Sequence, residues 1–176
     1  MRGWVGIGFA MVISGFVALG MAPNAHSAPV CGTPLQWNTP NGIWANQAVW
    51  DYMHQTDPEL SADLQPNDLD VAYVDLNKDA SPEIIYIAHN STYCGAHGCR
   101  MEILTKGPNR TWRPIASWIA SELSLGTVHT RGYRDVYLNG LKLWKWTGKD
   151  YNIVYRPAPN TSWVDSQKPD CPRRVR

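Results

Sequence analysis

The sequence predicts an α+β protein in which one N-terminal helix lies on an antiparallel, β-rich body of about eight short strands. A stretch whose apolar residues have helical spacing comes first. From Asp70 onward, short runs of β-branched and aromatic residues alternate with turns rich in Gly, Asn, Asp and Pro. The dipeptide Asn139-Gly140, between two alternating runs, is the strongest hairpin signal in the chain.

Residues 1–27 are predicted to form a signal peptide. Met1-Arg2 precedes an uncharged apolar run that is long enough to span a bilayer, so a retained membrane anchor is the alternative. Small residues follow the run, and Ala25-His26-Ser27 favours cleavage before Ala28. The remainder is expected to be a single domain, secreted or periplasmic, without stable membrane insertion. Its parts are a helical region at about 41–65, a β region at about 69–156 and a C-terminal tail at 157–176.

The formal charges of the expected exported part cancel. Loss of Arg2 with the signal peptide leaves as many basic residues as the 15 acidic ones. A neutral chain has no bulk attraction for nucleic acid or anionic lipid, so nucleic acid is not expected as a partner.

An even number of cysteines in an oxidising compartment predicts two disulfides, for which three pairings exist. The four cysteines all lie in the exported part: Cys31, Cys94, Cys99 and Cys171. We expect Cys94–Cys99, because Gly95 and Gly98 allow a tight loop, and this leaves Cys31–Cys171 to tie the ends of the domain together. A metal site formed with His97 is the alternative, but its spacing lacks a fourth ligand.

Residues 44–54 have the apolar spacing of a helix, with apolar side chains at Trp44, Ala48, Val49, Tyr52 and Met53. Asn41 or Gly42 can cap its start, and Pro58 ends whatever follows.

Eight strands are predicted after the helix, at 71–76, 83–89, 100–106, 112–119, 126–130, 134–139, 141–146 and 151–156. Pro114 predicts an edge or a bulge in the fourth, because proline cannot donate a ladder hydrogen bond. The first four runs resemble the last four in pattern. This similarity predicts two duplicated four-stranded meanders, which must pack on each other or on the helix.

The segment DLNKDASPEI, residues 75–84, resembles the calcium loop of FG-GAP and VCBS-type repeats, which occur in secreted and surface-exposed bacterial proteins. The resemblance implies a Ca²⁺ loop between two strands, because Ca²⁺ takes six to eight oxygens and alternate residues of a tight loop can point inward together. The ligands that it implies are the side chains of Asp75, Asn77, Asp79 and Glu83 and the carbonyl of Ser81. This chain has Ala80 where the family usually has Gly. We therefore favour a metal-free turn in which carboxylates accept hydrogen bonds from backbone N–H groups. Calcium is the only cofactor that the sequence suggests.

Catalysis is not expected, because no histidine neighbours a nucleophile in a known elbow motif. A surface suited to binding is predicted instead at Trp144 and Trp146, whose rings point to the side of their strand opposite Leu143. Packing of these rings against Trp44 or Trp50 of the helix is the alternative.

These features together predict an exported, non-catalytic binding protein of the bacterial envelope or extracellular space. Its expected partner is a protein or a cell-envelope glycan. Two alternatives stay open: an inhibitor or immunity protein against an envelope-acting hydrolase, and a secreted hydrolase whose site the sequence does not reveal.

Overall fold

The computed structural model describes residues 31–37, 43–140 and 142–155, with the backbone alone described for 43–45 and 155. The predicted signal peptide, its cleavage site and the C-terminal tail with Cys171 lie outside these residues.

One α-helix, a short 3-10 turn and ten strands make up the described chain. The helix α1 covers Ile43–Thr56 and the 3-10 turn covers Pro66–Asp68. The strands are β1 Thr33–Pro34, β2 Leu69–Val74, β3 Glu83–Ala88, β4 Cys94–Gly95, β5 Gly98–Lys106, β6 Trp112–Ala120, β7 Leu123–Thr130, β8 Tyr133–Leu138, β9 Lys142–Trp146 and β10 Tyr151–Tyr155. All eight predicted strands are present, and the two that the sequence did not predict, β1 and β4, are two residues long.

The strands form two antiparallel sheets, which confirms the predicted fold class. Sheet A has the order β1-β7-β8-β9-β10. Sheet B has the order β2-β3-β5-β4, with β6 paired to β5. Each predicted meander is thus the body of one sheet, and the two sheets share one hydrophobic core.

Strand β3 explains why the molecule has three layers. All six of its residues, Glu83–Ala88, are buried. Ile85 and Ile87 pack in the core between the two sheets, whereas Ile84 and Tyr86 pack with residues of α1. Because successive side chains of a strand point to opposite faces, sheet B must be covered on both sides, by sheet A and by α1.

The helix lies on sheet B through Val49, Tyr52 and Met53, as the predicted apolar face requires. The buried Asn46 fixes its start, since its amide donates to the carbonyl of Pro66 at 2.8 Å and to that of Leu69 at 3.0 Å. These bonds satisfy two carbonyl groups at the entrance to β2. Within the described residues, none of the helices has the length and apolar character needed to cross a membrane.

Pro114 occupies the edge position and the bulge that the sequence predicts for it. Strand β6 pairs with β5 alone among the described strands. The register shifts between the pairs Ile103–Ala116 and Leu104–Pro114, so the strand carries a bulge next to the proline.

The predicted Asn139-Gly140 turn joins β8 to β9 with positive φ at both residues, 49° and 72°. The side-chain oxygen of Asn139 also accepts three hydrogen bonds from the residues that link the two sheets. The donors are the N–H of Ser121 at 2.9 Å, the Ser121 hydroxyl at 3.1 Å and the N–H of Glu122 at 3.3 Å. Asn139 therefore holds the connection from β6 to β7 against the β8–β9 hairpin.

Replacement of Asn139 by Ala should lower the free energy of unfolding by about 2 kcal/mol, because it removes these hydrogen bonds and places a Cβ-bearing residue without a local acceptor at positive φ. Urea denaturation measures the change. The control Asn139→Asp keeps the acceptor oxygen and should lose less than half as much. Equal losses in the two variants would show that the side-chain acceptor does not matter.

Candidate functional site

The predicted Cys94–Cys99 disulfide is present and joins directly opposed residues of β4 and β5. Its two sulfur atoms are therefore not available as thiolates, which rules out the alternative metal site with His97. The bridge braces a tip in which Gly95, Ala96 and His97 are exposed. Cys31 is also disulfide-bonded, and Cys171, its predicted partner, lies outside the described residues.

Trp144 and Trp146 do not form a solvent-facing surface, which corrects that expectation. Trp146 is 7% exposed and its ring stacks on that of Tyr133 with 4.4 Å between centroids. The half-buried Trp144 meets Trp118 of β6 edge-on, at 5.3 Å. Because this face of β9 turns toward sheet B, the rings fill the core between the sheets. The helix is not their partner, since α1 packs on the far face of sheet B.

The segment between β2 and β3, residues 75–82, is folded around the carboxylate of Asp75. One of its oxygens accepts from the N–H groups of Lys78 at 2.6 Å and Asp79 at 3.2 Å. The other accepts from the N–H of Ala80 at 3.1 Å. Three backbone donors of the loop thus converge on one side chain, as expected for an Asx-type turn.

Asn77 and Asp79 continue this pattern. The N–H of Asp79 donates to the amide oxygen of Asn77 at 3.0 Å, and the N–H of Ser81 donates to Asp79 at 2.7 Å. The Asn77 amide in turn donates to the second oxygen of Asp79 at 2.8 Å and to the Tyr133 hydroxyl at 3.1 Å. The loop is therefore bonded to itself and, through Tyr133, to sheet A.

Glu83 is the buried member of the predicted ligand set, with 1% of its surface exposed. It accepts hydrogen bonds from the Leu76 N–H at 3.0 Å, from the Thr105 hydroxyl at 3.1 Å and from the Tyr133 hydroxyl at 3.4 Å. Burial raises the pKa of this carboxyl group, against the effect of the donated hydrogen bonds. Its partners belong to three different strands or loops, so Glu83 ties the loop into the interior.

Ala80 has φ of 65°, in the left-handed region that glycine occupies without strain. Lys78 has φ of 64° as well. The backbone geometry that the family resemblance associates with Gly is therefore present, although the side chain is Ala.

Among the described residues, no group of three or more His, Cys, Asp or Glu side chains is arranged to hold a metal ion. The oxygens of Asp75, Asp79 and Glu83 are instead bonded to backbone and side-chain donors. Calcium binding by the predicted set stays a prediction, and its test is given below.

A second buried carboxylate, Glu102, was not singled out by sequence reasoning. It is 2% exposed and accepts from the Tyr86 hydroxyl at 2.7 Å and the Ser117 hydroxyl at 2.9 Å. Arg100 pairs with it at 2.9 Å and reaches Asp57, just after α1, at 3.1 Å. The signal for this site was a charged pair at alternate positions of β5, Arg100 and Glu102, placed around Met101 and directly before the apolar Ile103 and Leu104.

Tyrosines surround this network. Burial, reinforced by the nearby Glu102 carboxylate, raises the pKa of Tyr52 to about 12. Tyr93 lies under Arg100, whose guanidinium carbon is 5.7 Å from the ring centroid. The Glu102 and Arg100 contacts join strands of sheet B to one another, to Tyr93 just before β4 and to Asp57 just after α1, so the network has a structural arrangement.

Four connections meet at one end of the sandwich, which we call the basic end: residues 75–82, 107–111, 131–132 and 147–150. Arg134 N–H donates to the Leu76 carbonyl at 2.8 Å, and Arg131 donates to the Thr147 carbonyl. The Thr105–Glu83 bond joins the loop to β5 just before the 107–111 turn. In an antiparallel meander every second turn lies at the same end of the sheet. The predicted order of strands and turns could therefore have shown that these four connections lie at one end of the molecule.

Searches against protein-family models, curated proteins and solved structures gave no match for this chain. The resemblance to FG-GAP and VCBS-type repeats therefore stays a hypothesis based on residues 75–84.

Replacement of Asp75 by Ala should lower the free energy of unfolding by about 2 kcal/mol, because three backbone N–H groups lose their acceptor, whereas Asp79→Ala should cost about 1 kcal/mol. Chelator should leave the melting temperature of the unaltered protein unchanged. A rise of several degrees on adding calcium, absent in Asp79→Ala, would establish a calcium site and overturn the turn interpretation.

Replacement of Ala80 by Gly should raise the free energy of unfolding by about 0.5–1 kcal/mol, since glycine removes the strain of a Cβ at positive φ. The matched control is Ala96→Gly, at an exposed position without positive φ, where glycine should be neutral or destabilising. Thermal and urea unfolding measure both. Equal effects at the two positions would contradict the left-handed geometry of Ala80.

Proposed function

We propose that this chain is an exported, non-catalytic binding protein of the bacterial envelope or extracellular space, and that the basic end is its contact surface. The observation that carries the proposal is the anchoring of this end. The 75–82 loop is bonded to itself through Asp75 and to sheet A through Tyr133. Exposed loops held by a rigid scaffold lose little conformational entropy on binding.

The chemistry of the interior supports the non-catalytic interpretation. The two buried glutamates, Glu83 and Glu102, are each held by at least three hydrogen-bonding groups. They join layers of the fold. Carboxylates engaged in this way stabilise positions and are poorly suited to exchange protons with a substrate.

The disulfide-braced tip favours a second candidate, an inhibitor of an envelope-acting hydrolase. Gly95, Ala96 and His97 are exposed beyond the Cys94–Cys99 bridge. A narrow, covalently braced tip of small residues can enter a cleft at little entropic cost. This tip lies at the end of sheet B opposite the basic end, so the two candidates use different surfaces.

The mature chain, purified after its host has processed the precursor, should be retained on peptidoglycan sacculi or bind one envelope component stoichiometrically. Asn109→Glu at the basic end should weaken that binding by about tenfold, as loss of one well-placed contact does. The control His97→Glu at the tip should leave it unchanged.

The reverse result, with His97→Glu disruptive and a hydrolase inhibited by the unaltered protein, would assign the function to the tip. Turnover of any member of a hydrolase substrate panel by the purified chain would overturn the non-catalytic proposal.

A further inference from the structure

The basic end concentrates the exposed cations of the described chain. Six basic side chains in or next to its four connections are exposed: Lys78, Lys106, Arg110, Arg113, Arg131 and Lys149. None of the six forms an ion pair with another described side chain. Lys142 is the one other fully exposed cation among the described residues, and it lies at the opposite end of β9.

The exposed acidic side chains at this end offset only part of this positive charge. Asp75 and Asp79 accept hydrogen bonds from backbone N–H groups of their own loop. Asp150 accepts from the Thr147 hydroxyl at 2.7 Å. These three are the exposed carboxylates in or next to the four connections, so the six exposed cations exceed them two to one.

A described segment away from the basic end has the opposite charge. Residues 51–70 carry six acidic residues and no Lys or Arg. Asn90, which follows β3, donates to Asp63 and Asp68 of this segment. Because β3 runs away from the basic end, the acidic segment lies at the opposite end of sheet B. A polyanion would be attracted to one end of the protein and repelled by the other.

We propose that the basic end binds a polyanionic glycan, that is, a polysaccharide carrying regularly repeated carboxylate, sulfate or phosphate groups. Its cations are spread over four separate connections, an arrangement that suits repeated charges along one chain rather than a single small anion. The inference rests on the proposed function, since export brings the protein to envelope and extracellular glycans.

An anionic membrane surface fits this end less well. The exposed large apolar side chains of the described residues are Leu60, Tyr73, Ile119 and Val154. None lies in the four connections, and only Tyr73, 38% exposed, lies within two residues of one, so the basic end offers little exposed apolar surface for insertion between lipids. Trp112, at the margin, is half-buried beneath Lys106, whose ammonium nitrogen is 5.0 Å from its ring centroid.

The test is a titration of the mature chain at two salt concentrations. The probes are heparin, a sulfated glycan, and alginate, a carboxylated glycan. Affinity should fall by at least about tenfold between 50 and 200 mM salt, because binding releases counterions. In Arg113→Ala/Lys149→Ala, the slope of log affinity against log salt should decrease by about 2.

Single substitutions give a matched control. Lys149→Ala should reduce affinity for both glycans, whereas Lys142→Ala, which changes the net charge equally, should not. Neither side chain forms an ion pair with another of the described residues, and unaltered melting temperatures would verify that folding is intact.

Three results would overturn the inference: no binding to either glycan at low salt, equal loss in the two single variants, or tighter binding to phosphatidylglycerol vesicles or duplex DNA than to the glycans. Failure here is distinct from failure of the proposed function. Retention on sacculi or by a protein partner, sensitive to Asn109→Glu but without affinity for heparin or alginate, would preserve the binding role and remove only the polyanionic ligand.

Discussion

The fold depends on sheet B being apolar on both of its faces. Strand β3 places Ile85 and Ile87 against sheet A, and Ile84 and Tyr86 against α1. Each buried side chain of this size contributes about 1.5–3 kcal/mol relative to an exposed one. Neither cover can therefore be removed without exposing one face of the sheet. The helix and sheet A are not appendages of a stable sheet, because each completes half of its burial.

Each face of sheet B also carries one buried carboxylate, and each carboxylate is linked to the layer that covers its face, Glu83 directly and Glu102 through Arg100. Glu83 accepts from Tyr133 of sheet A, and Glu102 reaches Asp57, after α1, through Arg100. Such groups are weak sources of net stability. Removal of one partner is nevertheless costly, about 3–5 kcal/mol for a buried ion pair, because the other charge is left buried and unpaired. The two buried carboxylates fix the position of sheet A and of α1 on sheet B, since a shifted helix or sheet would leave a charge without its partner.

Local patterns predicted the elements well, and long-range contacts explain where prediction stopped. All eight strands, the helix, the Pro114 bulge and the Cys94–Cys99 bridge follow from periodicity, turn chemistry and spacing, which are properties of neighbouring residues. The alternation around Trp144 correctly placed two rings on one face of β9. It could not identify what covers that face, because Trp118 belongs to the other sheet. The Glu102 network was missed for the same reason, since Asp57, which pairs with Arg100 of the network, is 43 positions away from it in the chain. The loop at 75–82 was predicted as a polar turn, yet its anchor Tyr133 is brought to it only by the packing of the sheets.

Net charge was the least informative property of the sequence, and topology explains why. The equal numbers of acidic and basic residues describe a sum over the chain, whereas a partner meets one end of the molecule. In an antiparallel meander every second turn returns to the same end, so basic residues placed in alternate turns accumulate there without altering the total. Lys78, Arg110 and Lys149 are dozens of residues apart in sequence and share one end of the sandwich. Because screening limits charge interactions to about 8–10 Å at physiological salt, a ligand at that end responds mainly to the local cations and little to the distant acidic segment. For a sandwich of this kind, charge counted turn by turn is therefore the physically relevant quantity, and the neutral total does not argue against an anionic ligand.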